Sequence, residues 1–228
     1  MNRACNIWSE LLSGAPYEKQ FSGGNEMIYI IMCGSNHEKI NGIPRQLVSI
    51  NGERILDRTI RLLRENGVKD IGITCTDAAF NDVDAEIIHY DSAVHWVNAF
   101  IKTYQPTTYI LGDVYFSPEA IRKIVETDTN DIEFFASAPP FAPGYSKPWA
   151  EPFAFKVVNH KHFHDSIAKV KELSKQGAWH REPISWELWQ VIKGTPINQI
   201  CYTNYTVIND YTCDIDDPSD IRTMERML

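Results

Sequence analysis

No apolar run in these 228 residues approaches the roughly 20 needed to cross a bilayer. The N-terminus lacks the basic start and apolar core of a secretory signal. There is no Cys-x-x-Cys pair, and the five cysteines (Cys5, Cys33, Cys75, Cys201 and Cys213) are odd in number. Both facts argue against a disulfide framework and fit a reducing compartment, so a cytoplasmic location is expected. An excess of positive charge is also missing. The formal net charge is -8, which excludes the bulk electrostatic footprint of a nucleic-acid binder but leaves room for a local basic pocket. No internal repeat is evident. With 43% hydrophobic and 23% charged residues, the chain has an ordinary globular composition and is long enough to bury a core without disulfides or structural metal.

What is present is an alternation of strand and helix patterns. Ile28 to Met32 is a short continuous apolar run, as expected of a strand covered on both faces. Residues 53–66 carry the apolar spacing of a helix, with Gly67 as its stop. Strands are expected at 71–75, 86–90, 107–111, 132–137, 153–158 and 205–208, and helices at 92–104, 117–127 and 160–174. This spacing implies βαβ units, hence a single α/β domain with a mixed, mainly parallel sheet flanked by helices. Residues 1–26, with Ser13-Gly14-Ala15-Pro16 and Ser22-Gly23-Gly24-Asn25, read as an N-terminal extension, and 27–228 as the domain.

In such sheets ligands bind beyond the carboxyl ends of the strands. Three segments fall at that edge. The first runs from Met32-Cys33-Gly34-Ser35-Asn36 through Lys39 to Pro44-Arg45-Gln46-Leu47. The second is Tyr109-Ile110-Leu111-Gly112-Asp113, and the third Cys213-Asp214-Ile215-Asp216-Asp217-Pro218-Ser219-Asp220. A loop of this kind can cradle phosphates on its backbone N–H groups. In the third segment Asp217 suits a helix cap, with Pro218 at the first position and Asp220 at the third, which leaves Asp216 free.

In this order, the three segments resemble the signature of the nucleotidyltransferases built on the type A glycosyltransferase-like fold. The resemblance spans roughly residues 28–228, with nothing matched between 128 and 205. It implies a nucleotide-diphospho-sugar transferase-like fold and a magnesium-dependent transfer of a nucleoside monophosphate from a nucleoside triphosphate to a phosphorylated sugar or alcohol, with release of pyrophosphate. Carried over by position, Arg45 stands at the family's lysine, with Lys39 as a second cation, to stabilise charge on the attacked phosphorus. Met32, Cys33, Gly34, Ser35, Asn36 and Gly112 would meet the nucleotide, and Asp113 and Asp216 would hold Mg2+. The loop departs from the family pattern, which has more glycine and an arginine where Glu38 stands. Two alternatives follow: a glycosyltransferase of the same fold using a nucleotide-sugar, and a non-catalytic nucleotide-binding relative.

Further candidates are less specific. Asp91 and Ser92 follow a strand, where they either meet base and ribose or cap a helix. Glu151, before the strand at 153, is the candidate acceptor contact. Arg181 lies among Trp179, Trp186 and Trp189, which suit an acceptor wall or lid, a core helix or a subunit contact, so a homo-oligomer stays open. Of the trio His160, His162 and His164, only the first and last share a helix face, as solvated or capping residues or as zinc ligands. The expected partners are a nucleoside triphosphate and a small phosphorylated acceptor, with neither nucleic acid nor membrane.

Overall fold

The computed structural model describes residues 26–34, 39–90, 96–138 and 149–228. Its main sheet has seven strands, numbered here in chain order: β1 (Ile28–Cys33), β2 (Ile71–Cys75), β3 (Glu86–His89), β4 (Thr107–Leu111), β5 (Ile132–Ser137), β6 (Pro152–Val157) and β7 (Thr206–Ile208). Their spatial order is β7-β5-β6-β4-β1-β2-β3. All run parallel except β6, which pairs antiparallel with both β4 and β5. The mixed, mainly parallel sheet expected from the alternation is therefore the one found.

Each central strand is buried on both faces, and its side chains divide between two cores by the period-two rule. Tyr29, Ile31 and Cys33 of β1 join Ile71, Ile73 and Cys75 of β2 in the first core. This core also takes in helices α1 (Ile55–Glu65) and α2 (Pro118–Glu126) through Leu56, Ile60, Leu63, Ile121 and Ile124. Ile28, Ile30 and Met32 face the second core. There they meet Phe163 and Val170 of α3 (His160–Lys175) and Trp186, Leu188 and Trp189 of α4 (Ser185–Lys193). A third, smaller cluster ties Ile40, Val48, Ile50, Tyr115, Cys213 and Ile215 to Met224 of α5 (Pro218–Met227).

Helix starts follow local chemistry. Ser117 Oγ accepts from Ala120 N at 2.9 Å with Pro118 at the first position of α2. The start of α4 is held by Glu187, whose carboxylate accepts from Ile184 N at 2.9 Å.

One expected helix is not found among the described residues. Between 92 and 104 the described part holds a short 3-10 turn, Trp96–Ala99, followed by irregular chain. Side-chain hydrogen bonds to the neighbouring strand compete with the helical ladder. Thr103 Oγ1 lies 2.7 Å from Thr107 Oγ1, and the Tyr109 hydroxyl donates to Ile101 O at 2.6 Å. The tryptophan-rich segment takes the core-helix reading: Trp186 and Trp189 are each 1% exposed. Their indoles donate to Ala150 O and Thr203 O at 2.7 and 3.1 Å.

Candidate active site

The carboxyl ends of β1 and β4 lie side by side, with Met32 opposite Leu111. The chain leaves both strands at the same edge, and the Gly112 amide donates to Met32 O at 3.0 Å. A Cβ on Gly112 would sit 2.6 Å from that oxygen and 2.8 Å from Cys33 Sγ. Glycine is thus required here by the packing of two strand ends. Cys33 itself is buried, and its thiol is pushed well up by burial, then by Cys75 and Asp113. Met32 and Cys33 therefore give their side chains to the cores and can meet a ligand through backbone only. Gly34 is also closely packed: the Tyr90 hydroxyl donates to its carbonyl at 2.9 Å. A Cβ there would fall 1.5 Å from that hydroxyl oxygen.

Asp113 is tied to the C-terminal acidic run. Its carbonyl accepts from Ile215 N at 2.9 Å, and Val114–Tyr115 pairs antiparallel with Cys213–Asp214. Asp217 then caps α5, accepting from Ser219 N at 2.6 Å. Asp220 accepts the amides of Asp216 and Asp217 at 2.8 and 3.1 Å. The capping expected from Asp-Asp-Pro-Ser-Asp is present, and the Asp216 carboxylate is left for another partner.

That partner is Arg45, whose Nη1 donates to Asp216 at 2.8 Å. Arg45 opens the short 3-10 turn Arg45–Leu47, anchored by buried Gln46 and Leu47. Its side chain is 15% exposed and that of Asp216 37%. The same guanidinium acts on Asp113. Burial first, and then the neighbouring Asp214, push the Asp113 carboxyl up to about 7; Arg45 opposes the rise and Asp216 adds to it. Arg45, Asp113, Asp214 and Asp216 thus form one electrostatic unit at the strand edge.

Glu151 stands behind this unit. It is 1% exposed, and its Oε2 accepts from Asp214 N at 3.1 Å. Its own amide donates to Ser137 Oγ at 2.8 Å. The carboxylate proposed from sequence as an acceptor contact is buried and braces the strand that carries Asp214.

Other sequence candidates are engaged elsewhere. Lys39 pairs with Asp77, just beyond the end of β2, at 3.0 Å. Arg181 pairs with Glu187 of α4 at 2.6 Å. His162 turns to Asp131 and Ile192 O at 3.3 and 3.1 Å, while the rings of His160 and His164 stack 6.4 Å apart. Ser35, Asn36, Asp91 and Ser92 lie outside the described residues.

Two residues of this edge escaped the sequence reading. Asp214 sits two positions before Asp216, the spacing that puts extended side chains on one face, and that spacing could have flagged it. Tyr90 left no such signal, since its contact with Gly34 is made across 56 positions.

Among the described residues, no three histidine, cysteine or acidic side chains are grouped so as to hold a metal. The chemistry of the donor set nonetheless suits a hard dication. Asp113 and Asp216 offer carboxylate oxygens around a shared cation, and magnesium binds through one or two carboxylates with a ligand's phosphate oxygens completing the shell.

No protein-family model and no curated protein sequence match the chain. Solved structures do. A candidate glucose-1-phosphate thymidylyltransferase from Bacillus anthracis, solved with sucrose, superimposes with a TM-score of 0.60 at 14% identity, covering 89% of this chain and 95% of that one. The inositol-1-phosphate CTP transferase from T. maritima gives 0.56 at 14%, covering 90% and 97%. HddC from Yersinia pseudotuberculosis gives 0.52 at 17%, covering 88% and 99%. The chain has the fold of these nucleotidyltransferases over nearly their whole length. No helix among the described residues is long and apolar enough to cross a membrane.

Proposed function

We propose that this protein is a magnesium-dependent nucleotidyltransferase of the cytoplasm. It would move a nucleoside monophosphate from a nucleoside triphosphate to a phosphorylated sugar or alcohol. The observation that carries the reading is Arg45 seated among Asp113, Asp214 and Asp216 at the carboxyl edge of a parallel sheet. The solved structures of like fold support it through the acceptors their names print, glucose 1-phosphate and inositol 1-phosphate.

In this reading an ionised phosphate oxygen of the acceptor attacks the α-phosphorus. The bond to the bridging oxygen breaks, and pyrophosphate leaves with the electron pair. A phosphate nucleophile is already charged, so no general base is needed. The backbone after Cys33 would cradle the triphosphate, and Arg45 would turn to the α-phosphate, where its fixed charge and planar fork suit the developing negative charge. Asp113 and Asp216 would hold magnesium, which when bound neutralises triphosphate charge and orients it. The proton affinity of Asp113 is raised first by burial and then by Asp214, and a bound dication would offset both.

Incubation with magnesium, each common nucleoside triphosphate and a panel of phosphorylated sugars and alcohols, followed by mass spectrometry, tests the proposal. A nucleoside diphosphate-linked product is expected. Hydrolysis products alone, or unchanged substrates throughout the panel, would count against it.

A further inference from the structure

Arg45 and Asp216 hold each other across 171 positions of sequence. Nothing in the capping of α5 requires that pair, since Asp217 makes the cap and Asp220 gathers the neighbouring amides. The arginine side chain is 15% exposed and that of Asp216 37%, so the pair is partly withdrawn from water, chiefly on the arginine side. Asp113 lies within electrostatic reach of Arg45, Asp216 and Asp214, and Ile215, between the two last, donates its amide to the Asp113 carbonyl at 2.9 Å. Each arriving ligand therefore meets an obstacle alone. A triphosphate without metal faces three carboxylates and a cation already engaged. A dication without nucleotide must compete with the guanidinium for Asp216.

We propose, building on the nucleotidyl-transfer reading, that the Arg45–Asp216 ion pair is a resting-state latch that makes nucleotide and dication bind as a unit. When both arrive, one internal ion pair is exchanged for two: carboxylate with dication and guanidinium with phosphate. Linkage makes the effect reciprocal, and couplings between bound ligands are typically about 5- to 150-fold. The latch belongs to this chain's use of arginine. A guanidinium can hold a carboxylate and later a phosphate with the same planar donors.

The test is calorimetric titration of the full chain with ATP, CTP, GTP, UTP and dTTP, each with magnesium and with EDTA. For the tightest of these, magnesium should improve wild-type affinity about tenfold or more. Asp216→Ala should tighten metal-free binding about fivefold or more, because it releases Arg45 from this ion pair. Asp214→Ala removes an equal charge without unlatching Arg45 and should tighten binding less. In an Arg45→Gln background, Asp216→Ala should add no more than Asp214→Ala does. Should Asp216→Ala fold poorly by circular dichroism, Asp216→Asn serves in its place, with a smaller gain in the same direction. Equal metal-free affinities for the Asp216 and Asp214 variants, or a gain that survives loss of Arg45, would overturn the latch while leaving nucleotide binding intact. If the wild type with magnesium binds none of the five nucleotides, the transfer reading falls, and the latch with it.

Discussion

Asp113 concentrates the tension of the site. Its folded-state pKa is raised from 3.8 to about 7, chiefly by burial and next by Asp214. The folded protein therefore keeps a proton that the unfolded chain releases across that window, and stability falls as pH rises through it. The penalty is complete above about pH 7. Asp113→Asn removes the penalty without changing the shape of the side chain. Without metal, the variant should melt above wild type at pH 8, by about 2–4 °C for each kcal/mol relieved in a chain of this size. The difference should close toward pH 4, and an equal difference at both pH values would show that Asp113 is not strained by its charge. The same variant should lose magnesium-dependent turnover. Arg45 answers to a different measurement. Arg45→Ala should lower turnover at least tenfold, about 1.4 kcal/mol or more in barrier. Unchanged turnover would remove it from the chemistry and return attention to Lys39, which here holds Asp77.

At the scale of elements, the site depends on two strand ends closing on each other and on one brace behind them. Gly112→Ala forces a methyl to within 2.6 Å of Met32 O, a backbone atom that cannot step aside. A loss of about 1–3 kcal/mol in denaturant unfolding is expected, the usual range for overpacking. A fully stable variant would mean that β1 and β4 do not end in contact. Glu151→Ala deprives the Asp214 amide of its acceptor and should destabilise by about 1–3 kcal/mol, while Glu151→Gln, which keeps an acceptor oxygen, should recover most of that. If Gln is as damaging as Ala, the charge of Glu151 matters more than its hydrogen bond. The elements that were legible in the sequence are those whose own pattern decides them. A continuous apolar run marked β1, a β-rich run marked β4, and Ser117-Pro118 marked the start of α2. The segment 92–104 was illegible for the opposite reason. Its apolar residues have helical density, but Thr103 and Ile101 bond to β4, a tertiary effect with no local trace.

For the molecule as a whole, the site was legible as an order of motifs rather than as any one motif. The end of β1 and Gly112-Asp113 reach one edge because β1 and β4 run parallel side by side, and the acidic run before α5 joins them through the antiparallel pairing of Cys213–Asp214 with Val114–Tyr115. The aspect hidden from the sequence is how the charges pair. Arg45 on Asp216, Lys39 on Asp77, Arg181 on Glu187 and Glu151 on the Asp214 amide are all long-range or side-chain choices that spacing does not encode. The central claim is catalytic, and release of pyrophosphate tests it most directly. With magnesium, a nucleoside triphosphate and a phosphorylated sugar or alcohol, the full chain should release pyrophosphate only when the acceptor is present. That release should fall at least tenfold in Arg45→Ala and in Asp113→Asn. Pyrophosphate absent from every combination, or release that Asp113→Asn leaves unchanged, would contradict the account.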